Sequence, residues 1–224
     1  MNAKPKLGEI PDWVRTAEEE ASTAVNTLAL RKGDRNVEFG RYPQGSKGEE
    51  EPLRWRVLAV DEKAKRALLI TEKVIDCRRY HDTHESITWA ECDLRKWLNE
   101  KFLNTAFVEA ERYRINLVEN ENSDNQYMGT DGGRTTIERV FLLSVDEAEE
   151  YLRSYNDKAA KVTEYAYRQG AFLGSGGTGW WWLRSPGDFN HDAACVYPNG
   201  VIIDGGNDVN VDYVGVRPAL WLNL

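Results

Sequence analysis

The sequence has no long apolar run: nothing in it approaches the ~18–20 consecutive apolar residues that a membrane-spanning helix needs, and its mean hydropathy is −0.61. Excess positive charge is also missing, since 29 Lys and Arg face 37 Asp and Glu, leaving a net charge of −8. Phosphate backbones are held by basic patches, so nucleic acid is excluded as the main partner. Cysteine is scarce. Cys77, Cys92 and Cys195 are odd in number, far apart, and without CxxC or Cys/His metal spacing, so they read as buried thiols. His81, His84 and His191 are too few and too scattered in sequence for a zinc site, and no His-Glu-x-x-His pattern occurs. Met1 to Gly8 carries neither a hydrophobic segment of secretory length nor a lipidation motif, which sets an expectation of cytoplasmic synthesis. No Gly-x-Ser-x-Gly elbow appears, and Asp/Glu pairs are too numerous to nominate one, so the residues suggest neither an enzyme nor a cofactor.

What is present is a chain of 224 residues with eight tryptophans. A chain of this length buries roughly 70% of its unfolded surface and needs no disulfide or metal staple. Residues 11–32 have a helical stripe of Trp13, Ala17, Ala21, Ala24 and Leu28 around an acidic face, ended by Gly33. This predicts an N-terminal helical extension over residues 1–35, followed by one domain over 36–224. Val37 to Tyr42 alternates as a short strand. Leu53 to Val60 and Arg66 to Thr71 flank a charged turn as a hairpin. Thr88 with Glu91, and Ser144 with Glu147, have the spacing of helix capping boxes. Val140 to Leu143 reads as a buried strand. Beyond Gly170 the chain is dense in Gly, Asn, Asp and Val, which suits short strands joined by turns. The fold class is α+β: two central helices, a small antiparallel sheet and a loop-rich C-terminal strand region.

Several motifs are more specific. Trp55-Arg56-Val57-Leu58, Ala67 to Glu72, Ile87-Thr88-Trp89, Leu94-Arg95-Lys96-Trp97-Leu98-Asn99 and Phe102 to Phe107 form one set. Trp181-Trp182-Leu183-Arg184-Ser185-Pro186-Gly187 and Gly215-Val216-Arg217-Pro218-Ala219-Leu220-Trp221-Leu222 bracket the C-terminal region. Together, over residues 36–224, they resemble the framework of variable proteins of diversity-generating retroelements, which share the C-type lectin fold of the formylglycine-generating enzymes. The resemblance implies a non-catalytic protein of phage or prokaryotic origin. Adenine-directed mutation near the gene's 3′ end would change a surface that binds a protein or cell-surface glycan. It also implies display on a phage particle or through a partner after cytoplasmic synthesis.

The residues supply an independent sign. Adenine mutation of an AAC-type codon cannot reach Lys, Glu, Gln, Met or Trp. Residues 183–220 contain none of the five, whereas residues 1–182 are rich in them. All acids in that stretch are Asp (188, 192, 204, 208 and 212), although Glu is the commoner acid elsewhere. Gly-rich strand-and-turn segments also disfavour Lys and Glu, so the bias has a structural contribution.

Alternation along the strands separates framework from surface. Ala194, Val196, Val209 and Val211 should face inward, leaving Cys195, Tyr197, Asp208, Asn210 and Asp212 outward. Turns should present Asp188, Phe189, Asn190, His191, Asp192 and Asn199. Asp204, Asn207 and Tyr213 complete the candidate ligand-binding set. Aromatic anchors among small polar groups are the chemistry of adaptable binding loops. Trp181, Trp182, Arg184 and Arg217 read as core, the arginines satisfying backbone carbonyls. A calcium-dependent carbohydrate-binding lectin is the nearest alternative, because Asp204, Asn207, Asp208, Asn210 and Asp212 offer oxygens for a hard cation. Against it, Tyr213 stands at the EF-hand glycine position and no Glu-Pro-Asn or Gln-Pro-Asp triplet occurs. An oxidase related to the formylglycine-generating enzymes would need two cysteines close together near the C-terminus, and Cys195 is alone there.

Overall fold

Leu53, Trp55 and Val57 alternate on one strand, and the next carries the continuous apolar run Ala67 to Ile70. In the computed structural model, which describes residues 30–224, these segments are β2 (Glu50–Asp61) and β3 (Arg66–Thr71), paired antiparallel. β1 (Val37–Pro43) pairs with β2. The last strand, β14 (Ala219–Asn223), inserts between β3 and β7 (Val140–Phe141). All four pairings of this five-stranded sheet are antiparallel.

The second sheet contains β4 (Asp76–Cys77), β10 (Trp181–Pro186), β11 (Asp192–Val196), β12 (Ile202–Asp208) and β13 (Gly215–Val216). Their order is β12-β11-β10-β13-β4, with β13 parallel to β10 and the other pairs antiparallel. Two small ladders complete the strands: β5 (Val118–Asn120) with β6 (Thr136–Glu138), and β8 (Ala160–Lys161) with β9 (Thr178–Gly179).

The main helical run is α1 (Asp93–Trp97), a π-helical segment (Leu98–Phe102) and α2 (Leu103–Ala106). Shorter helices are α3 (Glu109–Arg114), α4 (Val145–Tyr151), α5 (Tyr155–Lys158) and α6 (Glu164–Arg168). The class is mixed α+β with strands predominating, and no described helix is long and apolar enough to cross a membrane.

The capping box at Ser144 forms on α4: Ser144 Oγ accepts from Glu147 N (3.1 Å), and Glu147 Oε2 accepts from Ser144 N (2.9 Å). The pair at Thr88 behaves differently. Thr88 accepts at its carbonyl from Glu91 and Cys92 and so starts a turn, and α1 begins at Asp93 with Cys92 as its N-cap. The buried Trp89, whose indole donates to Glu138 Oε1 (2.8 Å), occupies that turn. Most of the helix expected over residues 11–32 lies outside the described residues. Arg31–Asp34 form a turn in which Gly33 has φ +95°.

Each fully buried indole donates a hydrogen bond. Trp55 reaches Phe39 O (2.7 Å), Trp181 reaches Lys158 O (3.0 Å) and Trp182 reaches Arg78 O (2.9 Å). Buried polar groups cost stability unless paired, so these bonds fix the sheets to the segments they cover. Arg217 is buried, with Nε donating to Thr71 O at 2.8 Å. Desolvation pushes its pKa down to about 9. Arg184 donates to Leu142 O (2.9 Å) and pairs with Glu147. The two arginines thus satisfy carbonyls inside the core.

Two further expectations need correction. Cys195 is fully buried, not outward-facing. It lies in β11 between β10 and β12, opposite Trp182 on one side and Ile203 on the other. Ala193 to Val196 are all buried, so both faces of the strand are covered and alternation has no solvent side to report. The strand expected through Asp208–Asp212 ends at Asp208. Val209 N donates to His191 O and Val211 N to Asp208 O, which turns the chain. Val209 is still buried and Asp208 and Asp212 exposed, but Val211 and Asn210 are both half-buried.

Candidate functional site

The turn after β10 is built on close backbone approach. A Cβ on Gly187 would lie 2.4 Å from Gly205 O and 2.5 Å from Asp192 Cβ, so only glycine lets the end of β10 meet β12. Gly206 has φ +80° and sits against Ala193 O. Asp188 N donates to Gly205 O and Asp192 N to Phe189 O, each at 2.9 Å, closing the turn that carries residues 188–192.

One group of candidate residues gathers at this turn. Phe189 and Asn190 are exposed, and Asp188, His191 and Asp192 are half-buried. Phe189 stacks on His191 with ring centroids 5.5 Å apart and planes 4° apart. Asp208 enters from β12 in register opposite Asp192. The Asp192 carboxyl pKa is raised, first by desolvation; the neighbouring Asp208 and Asp188 charges raise it further, while His191 opposes them.

A second group is aromatic. Tyr197 lies on Trp180 with centroids 3.9 Å apart, and Tyr213 meets the same indole edge-on at 5.9 Å. Asn207 Nδ2 donates to Tyr213 Oη at 2.6 Å, pinning that ring from β12. All four side chains are half-buried, giving a firm apolar floor with polar edges.

The remaining candidates stand apart. Asn199 is exposed in the turn after β11, where its Oδ1 accepts from Val201 N. Asp204 lines a pocket of about 160 Å³ with Ser123, Asn125, Ser144 and Ser185. Asn210 lies in the turn after β12. Asp212, its side chain 79% exposed, is 4.0 Å from Arg79. It rims a larger pocket of about 340 Å³ lined also by Cys77, Arg78, Asp93 and Trp97. Burial and the charges of Asp76 and Asp212 push the Cys77 thiol up to about 12. A thiol so shifted stays protonated at neutral pH and is a poor nucleophile.

Three contributors lie outside the C-terminal stretch. Trp180 has the sequence signal of core packing but supplies the aromatic floor. The polar loop 122–134 folds against the display turn: Thr130 Oγ1 donates to Asp188 O (2.7 Å), and Asn125 Nδ2 to Asp204 O (3.1 Å). The segment around His84 is tied on by His81 N to Val209 O and Ile87 N to Asn190 O, both 2.9 Å. No local spacing could reveal that last contact, which spans more than a hundred residues.

Residues 64–224 match the profile of a family described as a domain of unknown function, DUF6273. No curated protein and no solved structure matches the chain.

Proposed function

The chain belongs to the DUF6273 family, and we propose that within it this protein is a non-catalytic ligand-binding protein with a C-type lectin fold, of the kind diversified by retroelements. Its ligand is a protein or a cell-surface glycan. One observation carries the reading. The stretch free of Lys, Glu, Gln, Met and Trp, residues 183–220, is also the stretch that forms the display turn and β11–β12. Within it the Asp, Asn, His, Tyr and Phe side chains are exposed or half-buried, while Leu183, Arg184, Val196, Val214, Val216, Arg217 and Leu220 are buried. A surface that changes on a core that does not is what diversification requires. The two sheets, the central helical run and the loop-rich C-terminal strands support the lectin-fold reading.

Binding energy would come from a few anchors. Exposed Phe189 and the Tyr197–Trp180–Tyr213 floor are the candidates, with Asp188, Asn190, Asn207, Asp208, Asn210 and Asp212 giving polar specificity.

Sequencing the 3′ end of the gene across a growing population of its host tests the proposal. Substitutions at adenines in the codons for Asp188–Asp192, Tyr197, Asn207, Asp208 and Asn210–Tyr213 are expected, with a near-copy of the segment beside a reverse-transcriptase gene. Substitutions spread evenly over Arg217, Val216 and the displayed residues, or none at all with no near-copy, would overturn it.

A further inference from the structure

His84, His191 and Asp208 bring two imidazoles and a carboxylate together from three separate segments. One ligand atom from each lies within 4.8 Å of the others, and this is the only such His/Cys/Asp/Glu group among the described residues. His84 Nε2 is 3.0 Å from Asp208 Oδ1, and the two imidazole rings are 4.5 Å apart between centroids. Donors bound at 2.0–2.1 Å to one tetrahedral ion are about 3.3 Å apart. The three atoms therefore need only small side-chain rotations to share an ion.

The supports are in place before any ion arrives. Main-chain bonds from His81 N to Val209 O, Val209 N to His191 O and Ile87 N to Asn190 O lock the three segments together, each at 2.9 Å. Phe189 stacks on His191 and restricts its ring. The side chains of His84 and Asp208 are 50% and 51% exposed, so an ion has an open path and keeps room for further ligands.

We propose that His84, His191 and Asp208 form a binding site for a divalent transition-metal ion of the zinc class on the display face. Two imidazoles favour zinc over calcium, which takes oxygen donors. Three protein ligands leave a fourth position for water or for a donor on a bound partner. The ion takes the place of the direct His84–Asp208 contact, and it staples the 81–87 segment to β12. His84 lies outside residues 183–220, so a fixed ligand is completed by two residues of the displayed stretch. The inference concerns the face assigned to ligand binding but rests on donor geometry, so it can fail without the sequencing result failing, and the reverse.

The test is calorimetric titration of the untagged full-length chain with zinc chloride, with cobalt(II) absorption as a second readout. One ion per chain is expected, with visible cobalt bands of four- or five-coordinate intensity. His84→Ala, His191→Gln and Asp208→Asn should each weaken zinc by about tenfold or more. His81→Ala should leave it unchanged, because His81 is engaged with Glu85 and Asp93 instead. Circular dichroism of each variant confirms that its fold is intact. Absence of stoichiometric zinc binding, or binding that survives His84→Ala and His191→Gln unchanged, would overturn the proposal. So would loss confined to His81→Ala.

Discussion

Arg184 holds Glu147 with both ends of its guanidinium: Nη2 donates to Oε1 at 3.1 Å and Nη1 to Oε2. The same Nη1 donates to Leu142 O, and Glu147 Oε2 also accepts from Ser144 N. One ion pair therefore joins β10, the exit of β7 and the start of α4. Arg184 is 5% exposed at its side chain and Glu147 27%. Breaking such a pair from one side strands the other charge. Glu147→Ala should lower stability by roughly 2–3 kcal/mol, and in a cycle with Arg184→Met the double variant should cost less than the two single variants together. Urea denaturation of Glu147→Ala, Arg184→Met and their combination checks this; losses that simply add would show that the ion pair is not the cause.

The division between core and display makes a second prediction. Trp182 is fully buried, its ring meets Tyr80 edge-on at 5.7 Å, and its indole donates to Arg78 O. Trp182→Ala should cost about 3–5 kcal/mol. Exposed Phe189, Asn190, Asn199 and Asp212 should each tolerate alanine within about 0.5 kcal/mol. Comparable losses in both groups would collapse the distinction on which a changeable surface depends.

How much of this was legible in the sequence depended on the range of the interaction. The hairpin of β2 and β3, the Ser144 capping box and the burial of Trp181, Arg184 and Arg217 follow from local spacing and from the cost of burying unpaired polar groups. Alternation misplaces Cys195 because it assumes one solvent face, and β11 is covered on both. The alternating valines of Asp208–Asp212 predict a strand, whereas the bond from Val209 N to His191 O turns the chain away. His84 was invisible as a neighbour of His191 because nothing local records a contact made through two other segments.

The thiols carry a third prediction. Cys77, Cys92 and Cys195 are buried and unpaired. Burial is the leading cause that pushes each of them up to about 12. The thiolate is the reactive form, so native protein at pH 7.5 should take up essentially no iodoacetamide, while denatured protein should take up one adduct on each cysteine. Intact-mass measurement before and after denaturant reads this directly. Rapid formation of a single native adduct would mark one of the three as accessible and activated.

Asp76 makes the last prediction, on pH. It is fully buried in β4, with Oδ2 accepting from Tyr42 Oη (2.6 Å) and Oδ1 from Cys77 N (2.7 Å). Desolvation is the largest influence and raises its pKa; Arg78, with Nε 3.5 Å away, and the two hydrogen bonds oppose it without cancelling it. A raised folded pKa means that the native state retains this proton at pH values where the unfolded chain, titrating near 3.9, has released it. Stability then falls as pH rises from the unfolded pKa through the folded one, and the penalty stays constant above it. Asp76→Asn removes the titration and preserves the shape of the side chain. The stability of the Asn variant minus that of the wild type should therefore increase with pH across the carboxylate range and then level off. Asp93 and Asp157, whose pKa values are lowered, contribute the opposite slope, but they do so in both proteins and cancel in the difference. Urea denaturation of the pair from pH 4 to pH 8 measures it. A difference that stays flat or declines would mean that the Asp76 carboxylate is fully compensated by Arg78, Tyr42 and Cys77 N.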